Sequence, residues 1–379
     1  MASRDIIVGI DVGSTSVRTV IAQIFPEEEK PRIIGVGTAA SSGVRKGVIV
    51  DLEDATKSIN ESVEQAERTA GISVDRAIVS IGGNHIVSQS SKGVIAVGRA
   101  DGEVTEDDVE RVINAAQAIS VPANKEIIHI IPKSYSLDDN KDIRDPLGMN
   151  GVRLEVDAMI VEGSTPFIKN LTKCVEQAGI AVSEFVLAPL SAAKATLTKR
   201  QKELGVVLVD IGGGTTSVAV FEENDLLHTT ILPIGGSHIT NDIAIGLRTS
   251  IDVAEKVKLE YGNALPREIS KKEEINLSEI DANEEGIVSR YHVSEIIEAR
   301  LEEIFMLVNK ELKLIGREKL LPAGIVLTGG TSKLPGAVDL AKDVLGLPAQ
   351  NGFPMQMGGL IDKVDDPTVV TAVCLVIWG

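Results

Sequence analysis

Two aspartates, each closing an apolar run and followed by glycine and hydroxyl residues, are the side chains best placed to do chemistry. Asp11 stands in Ile6-Ile-Val-Gly-Ile-Asp-Val-Gly-Ser-Thr-Ser-Val-Arg-Thr-Val-Ile-Ala22, and Asp210 in Val206-Val-Leu-Val-Asp-Ile-Gly-Gly-Gly-Thr-Thr-Ser-Val-Ala-Val-Phe221. An apolar run ended by glycines suits a buried strand whose backbone turns tightly. Without Cβ atoms, successive N–H groups approach an anion closely. Thr215 and Thr216 can add hydroxyl donors. A carboxylate among phosphate ligands repels them unless a cation lies between, so Asp210 and its counterpart Asp11 imply Mg²⁺, held directly or through its waters. A single glycine cluster also fits an ordinary hairpin turn. Its recurrence predicts two duplicated α/β domains facing each other across a cleft, each contributing a phosphate loop.

Two further stretches bear on binding. Gly324-Ile-Val-Leu-Thr-Gly-Gly-Thr-Ser-Lys-Leu-Pro-Gly336 reads as a buried strand running into a Gly-Gly turn and a helix, whose N-terminus offers N–H groups to a ligand. The helix Ala254–Gly262 puts Glu255 and Lys258 three residues apart on one face, the spacing of a solvated ion pair. Cys174 and Cys374 lack CxxC spacing and stand in apolar surroundings, as reduced core thiols of a reducing compartment do. No HExxH, Gly-x-Ser-x-Gly or Walker A pattern is present and the five histidines are scattered, which argues against unrelated hydrolase chemistry.

These residues need elements to position them. At 379 residues, with 43% hydrophobic and only 3% aromatic content, the chain suits two domains of α/β layers built from Val, Ile, Ala and Gly. A net charge of −17 argues against a general nucleic-acid binder. The N-terminus lacks a signal-peptide pattern and no apolar run approaches the roughly 20 residues that span a bilayer, so a cytoplasmic home is expected. Strands are expected within 31–50, a helix over 51–70 ended by Gly71, and a strand over 75–81 that meets Gly82-Gly83. The texture then changes, and 83–164 reads as an inserted subdomain. Its helix starts at Thr105 and carries Val109, Val112, Ile113 and Ala116 on one face, while Pro122, Pro132, Pro146 and the turn Gly148–Gly151 mark loops. A helix after Pro166, a strand near Val182–Leu187 and a crossing helix Ala188–Leu197 lead to the second hairpin. Beyond it come Ile234–Asp242, a charged helical region to about 315 with a polar loop near 265–285, and an apolar helix over 366–378.

Three Gly-rich turns in this order, with paired aspartates and the Glu255…Lys258 helix, resemble the actin-like ATPase superfamily over the whole chain. Within it the chain is similar to the FtsA family of bacterial cell-division proteins. The discriminating part is the insert: Gly83-Asn-His-Ile-Val-Ser88, Asp107-Asp-Val-Glu-Arg-Val-Ile113, and His129-Ile-Ile-Pro followed by Tyr135-Ser-Leu-Asp138 and Asp145-Pro-Leu-Gly-Met-Asn-Gly151 resemble that family's subdomain 1C. The resemblance implies an actin-like two-domain α/β fold, with duplicated ribonuclease-H-like domains around a nucleotide cleft. The implied division is subdomain 1A over 1–82, 165–197 and 366–379, 1C over 83–164, 2A over 198–250 and 316–365, and 2B over 251–315. It further implies ATP with Mg²⁺: Gly13, Ser14 and Thr15 grip phosphates from one side, Gly213, Gly214 and Thr215 from the other, and Asp11 and Asp210 organise the metal. Glu255 and Lys258 would hold adenosine, with Gly329, Gly330 and Thr331 beside the adenine and ribose.

The implied role is an actin-like filament at the inner face of the cell membrane at the division site. Such a filament links the C-terminal tail of FtsZ to the membrane and recruits later division proteins through 1C. Arg300, in the helix beginning at Val293, would meet that acidic tail. Two departures qualify this. Hydrolysing relatives carry a water-orienting Glu before the proline of the crossing helix, where this chain has Ala188, so ATP is expected to close the cleft rather than turn over quickly. The resemblance also implies a membrane-binding amphipathic helix, for which 366–378, apolar all round and without basic residues, cannot substitute; either that helix lies outside this sequence or the protein tethers differently, and this chain by itself is not expected to bind liposomes. A pilus-assembly adaptor resembling PilM and a small-molecule kinase are the rival readings.

Overall fold

The computed structural model describes residues 5–25, 30–118, 122–355 and 357–378. The chain divides into two compact units, one of residues 1–84 with 171–379, the other of 85–170.

The larger unit contains one topology built twice. In its first lobe the strands Asp5–Val12, Ser16–Ile24 and Arg32–Ala40 form an antiparallel meander. Arg76–Ile81 and then Ala181–Leu187 add in parallel on the other side of Asp5–Val12. In the second lobe Val206–Ile211, Thr216–Glu222 and Asp225–Leu232 repeat the meander, and Ile325–Thr328 and Ala349–Asn351 repeat the parallel additions. The central strands are apolar on both faces, as strands covered by helices must be: Val206–Val209 and Ile325–Leu327 are buried throughout.

Helices seal each lobe. Leu52–Ala70 starts at Asp51, whose carboxylate accepts the Asp54 N–H, and ends at left-handed Gly71. It packs so close to Arg32–Ala40 that a Cβ on Gly37 would stand 1.9 Å from the Ser62 carbonyl oxygen. The buried Thr19 and Ser62 hydroxyls pair at 2.8 Å within the same contact. In the second lobe Gly236–Leu247, Ile251–Tyr261, Arg290–Leu314 and Ala337–Leu345 bury Ile239, Val257, Phe305 and Leu340 in one core with the sheet. The apolar helix Val370–Trp378 lies on the first lobe's sheet, where a Cβ on Gly9 would stand 2.6 Å from Leu375 Cβ.

The smaller unit is a four-stranded antiparallel sheet in the order Val87–Ala96, Arg153–Ser164, Lys125–Leu137, Asn140–Ile143, with the helix Glu106–Ala116 packed on it. Thr105 and Asp108 form the capping box at the helix start, and Val112 and Ala116 are buried. One sequence expectation is corrected here. Pro132 lies inside the 13-residue strand Lys125–Leu137 rather than in a loop. The register shifts beside it, with Asp157 opposite Ser134 and Ala158 opposite Pro132, so the missing N–H falls at a bulge.

Gly37→Ala should force helix and strand apart and lower stability by about 2 kcal/mol, the scale of overpacking a filled contact. Urea unfolding followed by circular dichroism checks this, and a change under about 0.5 kcal/mol would contradict the packing described.

Candidate functional site

Asp11 and Asp210 occupy equivalent positions, each in the last turn-facing residues of the first strand of its lobe. The turns that follow share a closure: Gly13 N–H donates to the Ser16 carbonyl at 3.1 Å, and Gly212 N–H to the Thr215 carbonyl at 2.9 Å. The two loops then meet. A Cβ on Gly213 would stand 2.2 Å from Thr15 Cγ2, and one on Gly214 2.6 Å from Ser14 Oγ, so only glycine lets them approach this closely.

Between the lobes lies a cleft of about 810 Å³ of empty space, part of it open to solvent. Asp11, Gly13, Ser14, Thr15, Asp210, Gly213, Gly214, Thr215, Gly329 and Gly330 all line it, so most residues singled out from the sequence converge. Ala188 lines it as well, at the start of the helix Ala188–Thr196. Thr216 does not contribute the hydroxyl expected of it. It is buried and donates to the Ile234 carbonyl at 2.8 Å, because strand alternation turns it into the core.

Glu255, Lys258 and Thr331 form a layer behind the lining. Lys258 Nζ, nearly buried, donates to Glu255 Oε2 at 2.6 Å, to Thr240 Oγ1 at 2.9 Å and to the Gly236 carbonyl at 3.4 Å. Gly236 and Ser237 N–H groups donate in turn to the Gly212 and Gly213 carbonyls at 2.8 Å, and Thr331 Oγ1 donates to Gly212 at 3.3 Å. The pair is therefore a fixed bracket on the second glycine loop rather than a solvated surface contact. The segment after Gly329 also differs from expectation. It is a four-residue 3₁₀ turn, Gly330–Lys333, and the helix begins only at Ala337, since Pro335 disfavours helical backbone at Leu334 and Gly336 is left-handed. Arg300 lies elsewhere, in a surface groove with Asp242, Ile245 and Ile296. Its guanidinium holds Asp242 at 2.5 and 2.9 Å and also binds Glu303.

Several lining residues were not picked out from the sequence. Arg18 is the direct cross-strand partner of Asp11, the one charged residue of its strand, and that placement was the available signal. Ser80 Oγ donates to Asp11 Oδ1 at 2.6 Å, and Thr371 Oγ1 to Asp210 Oδ2 at 3.3 Å. Pro367 and Thr368 close the cleft from the C-terminal segment. Ser80 and Thr371 come from strand and helix neighbours that only folding brings near.

Burial pushes Asp11 up from the ordinary carboxylate value, against the Ser80 hydrogen bond and the Arg18 charge. Burial, and then the Asp11 carboxylate, raise Asp210 to about 6. Burial also lowers Arg18, while Asp11, Asp210 and Asp366 hold it charged. One guanidinium thus faces two clefted carboxylates, and the charge balance has room for one more cation. Among the described residues no group of three or more His, Cys, Asp or Glu could hold a metal by itself. That donor set suits an ion which keeps most of its waters and shares one or two carboxylates with an anionic ligand.

Since the folded-state value of Asp210 lies above the ordinary 3.8, the folded protein binds that proton more tightly than the unfolded chain. Stability without a cation therefore rises as pH falls from about 6 to about 4, and the penalty is fully present above pH 6. Asp210→Asn should raise the melting temperature at pH 7 in chelator, by an amount equivalent to on the order of 2 kcal/mol, and lose that advantage near pH 4. Melting curves across that range test it, and an unchanged or lower melting temperature at pH 7 would contradict the assigned charge balance.

Comparison with known proteins agrees with this architecture. The family model described as cell division protein FtsA matches residues 207–374, and that of the SHS2 domain inserted in FtsA matches 83–162. The chain is 40% identical to the cell division protein FtsA of Pseudomonas aeruginosa over 377 residues, covering 100% of this chain and 90% of that protein. It is 40% identical to FtsA of Bacillus subtilis over 376 residues, covering 99% and 84%. Among solved structures, the PilM-PilN type IV pilus biogenesis complex matches with a TM-score of 0.70 at 16% identity, covering 98% of both chains. MreB5 of Spiroplasma citri bound to ADP matches with a TM-score of 0.53 at 15% identity, covering 99% and 96%. The likeness to these structures establishes the actin-like ATPase fold, and the near full-length identity to curated relatives establishes more: the chain belongs to the FtsA family of cell division proteins.

Proposed function

We propose that this protein is an ATP-binding, filament-forming scaffold of bacterial division that links FtsZ to the cytoplasmic membrane. The observation that carries the nucleotide part is the pair of glycine loops meeting across a cleft floored by Asp11 and Asp210. The residues present fit Mg·ATP. Gly13, Ser14 and Thr15 on one loop and Gly213, Gly214 and Thr215 on the other would bind phosphate oxygens, with Asp11 and Asp210 oriented toward the metal by Ser80 and Thr371. Gly329 and Gly330 would border the adenosine end, which Glu255, Lys258 and Thr331 would hold from the layer behind. Mg²⁺ supplies the charge neutralisation that lets carboxylates and phosphates share one site. A solved structure of MreB5, which shares the fold, is described as bound to ADP, and this supports the reading.

The cleft favours holding ATP over spending it. Ala188 offers a methyl group where a water-orienting carboxylate would stand, and the nearby Ser80 and Thr371 hydroxyls are committed to the aspartates. A ligand that touches both loops stabilises the closed pair of lobes and so favours whatever assembly requires closure. The insert at 83–164 is the surface assigned to later division proteins, and the protein works at the inner face of the membrane. For the FtsZ tail, Arg300 is preorganised as a carboxylate receptor, so a tail carboxylate would exchange with Asp242 or Glu303.

Calorimetry should show Mg²⁺-dependent ATP binding, abolished by Asp210→Asn. Single-turnover phosphate release should be slow, whereas rapid release would overturn the structural role of ATP. Separately, pull-down with an FtsZ C-terminal peptide should be weakened at least about fivefold by Arg300→Glu, as expected when a charge-assisted contact becomes a repulsion. No capture by the unaltered protein would favour a PilM-like adaptor instead.

A further inference from the structure

The hairpin of Val44–Arg45 with Val48–Ile49 has a two-residue tip, Lys46-Gly47, of which Gly47 lines the cleft and Lys46 stands beside it. Both tip residues have positive φ, 51° and 72°, the backbone of a turn that favours Asn-Gly or Gly-Gly. Lysine in the first position strains the backbone where asparagine or glycine would not. The hairpin root is fixed, since Val50 and Asp51 N–H groups donate to the Gly43 carbonyl at 2.8 and 3.1 Å beside the helix Leu52–Ala70.

The tip touches both phosphate loops. Gly47 N–H donates to Ser14 Oγ at 3.0 Å, which leaves the Ser14 hydroxyl proton free to be donated elsewhere. A Cβ on Gly214, in the opposite lobe, would stand 3.1 Å from the Lys46 backbone nitrogen. A Cβ on Gly47 would stand 2.8 Å from Gly83 Cα, so the tip has no room to be displaced sideways. Lys46 therefore springs from the point where the two loops meet, and its side chain is exposed. In a chain of net charge −17, a strained cation there is an unusual choice for a turn.

The geometry points to Lys46 as a further specificity-determining residue, one that reads phosphate charge at the mouth of the cleft and favours nucleotides with more phosphates. This rests on the nucleotide reading of the cleft. Asparagine accepts left-handed backbone and removes the charge, so Lys46→Asn separates the turn from the ammonium. The full chain, unaltered and as Lys46→Asn and Lys46→Arg, would be titrated with ATP, ADP and AMP, each with Mg²⁺, alongside melting curves without nucleotide.

With Lys46→Asn the nucleotide-free melting temperature should hold or rise. ATP affinity should fall about threefold to fivefold, the scale of one exposed ion pair, ADP affinity less, and AMP affinity not at all. Lys46→Arg should retain the preference. Equal losses for all three nucleotides, or no loss for ATP, would overturn the proposal while leaving the cleft a nucleotide site. Failure of the unaltered protein to bind any of the three would instead overturn the nucleotide reading and this inference with it.

Discussion

Two partly buried carboxylates on facing strand ends constrain the whole larger unit. Asp11 and Asp210 repel each other across the cleft, and Arg18, the cross-strand partner of Asp11, answers with one positive charge. The second lobe has no matching cation, because Ser217 stands opposite Asp210 where Arg18 stands opposite Asp11. The duplicated sheets thus bring together an asymmetric site from symmetric parts. A scaffold that leaves such a charge unbalanced is less stable at its centre above the titration of Asp210 than with that carboxyl protonated.

Rigid elements hold that arrangement. Each aspartate ends a strand that is buried on both faces, so its position is set by sheet packing rather than by loop conformation. The C-terminal segment ties the lobes from behind. Thr371 in the helix Val370–Trp378 reaches Asp210, the Pro367 carbonyl accepts from Gly329 N–H and Thr328 Oγ1, and Lys333 holds Asp366 at 2.5 Å. Movement between the lobes must therefore pass through contacts that also shape the cleft.

Much of this was legible in the sequence because backbone geometry writes itself into residue type. Glycines at 13, 213 and 214 mark the close approach of loops, and the recurrence of strand, aspartate and turn marks the duplication. The insert's motifs marked its family. Pro132 misled, since a proline within a strand is confined to edges, strand starts or bulges, and the register shift that accommodates it here leaves no residue signature. Thr216 misled because a hydroxyl beside a glycine loop can point either way, and strand alternation sent it inward.

The sequence by itself determined the two aspartate hairpins and the lobes they seed, because hydrophobic periodicity and turn glycines act over a few residues, while the insert's motifs carried the resemblance to the FtsA family. Only the tertiary structure decided which side chains share the cleft. Ser80, Thr371, Gly47 and Arg18 reach it through strand pairing and helix packing between segments far apart in the chain. The same packing joins Lys258, paired with Glu255, to the Gly236 carbonyl behind the second glycine loop, a contact their spacing in the sequence does not reveal. Charge balance and solvent exclusion depend on that three-dimensional neighbourhood, and no local pattern encodes it.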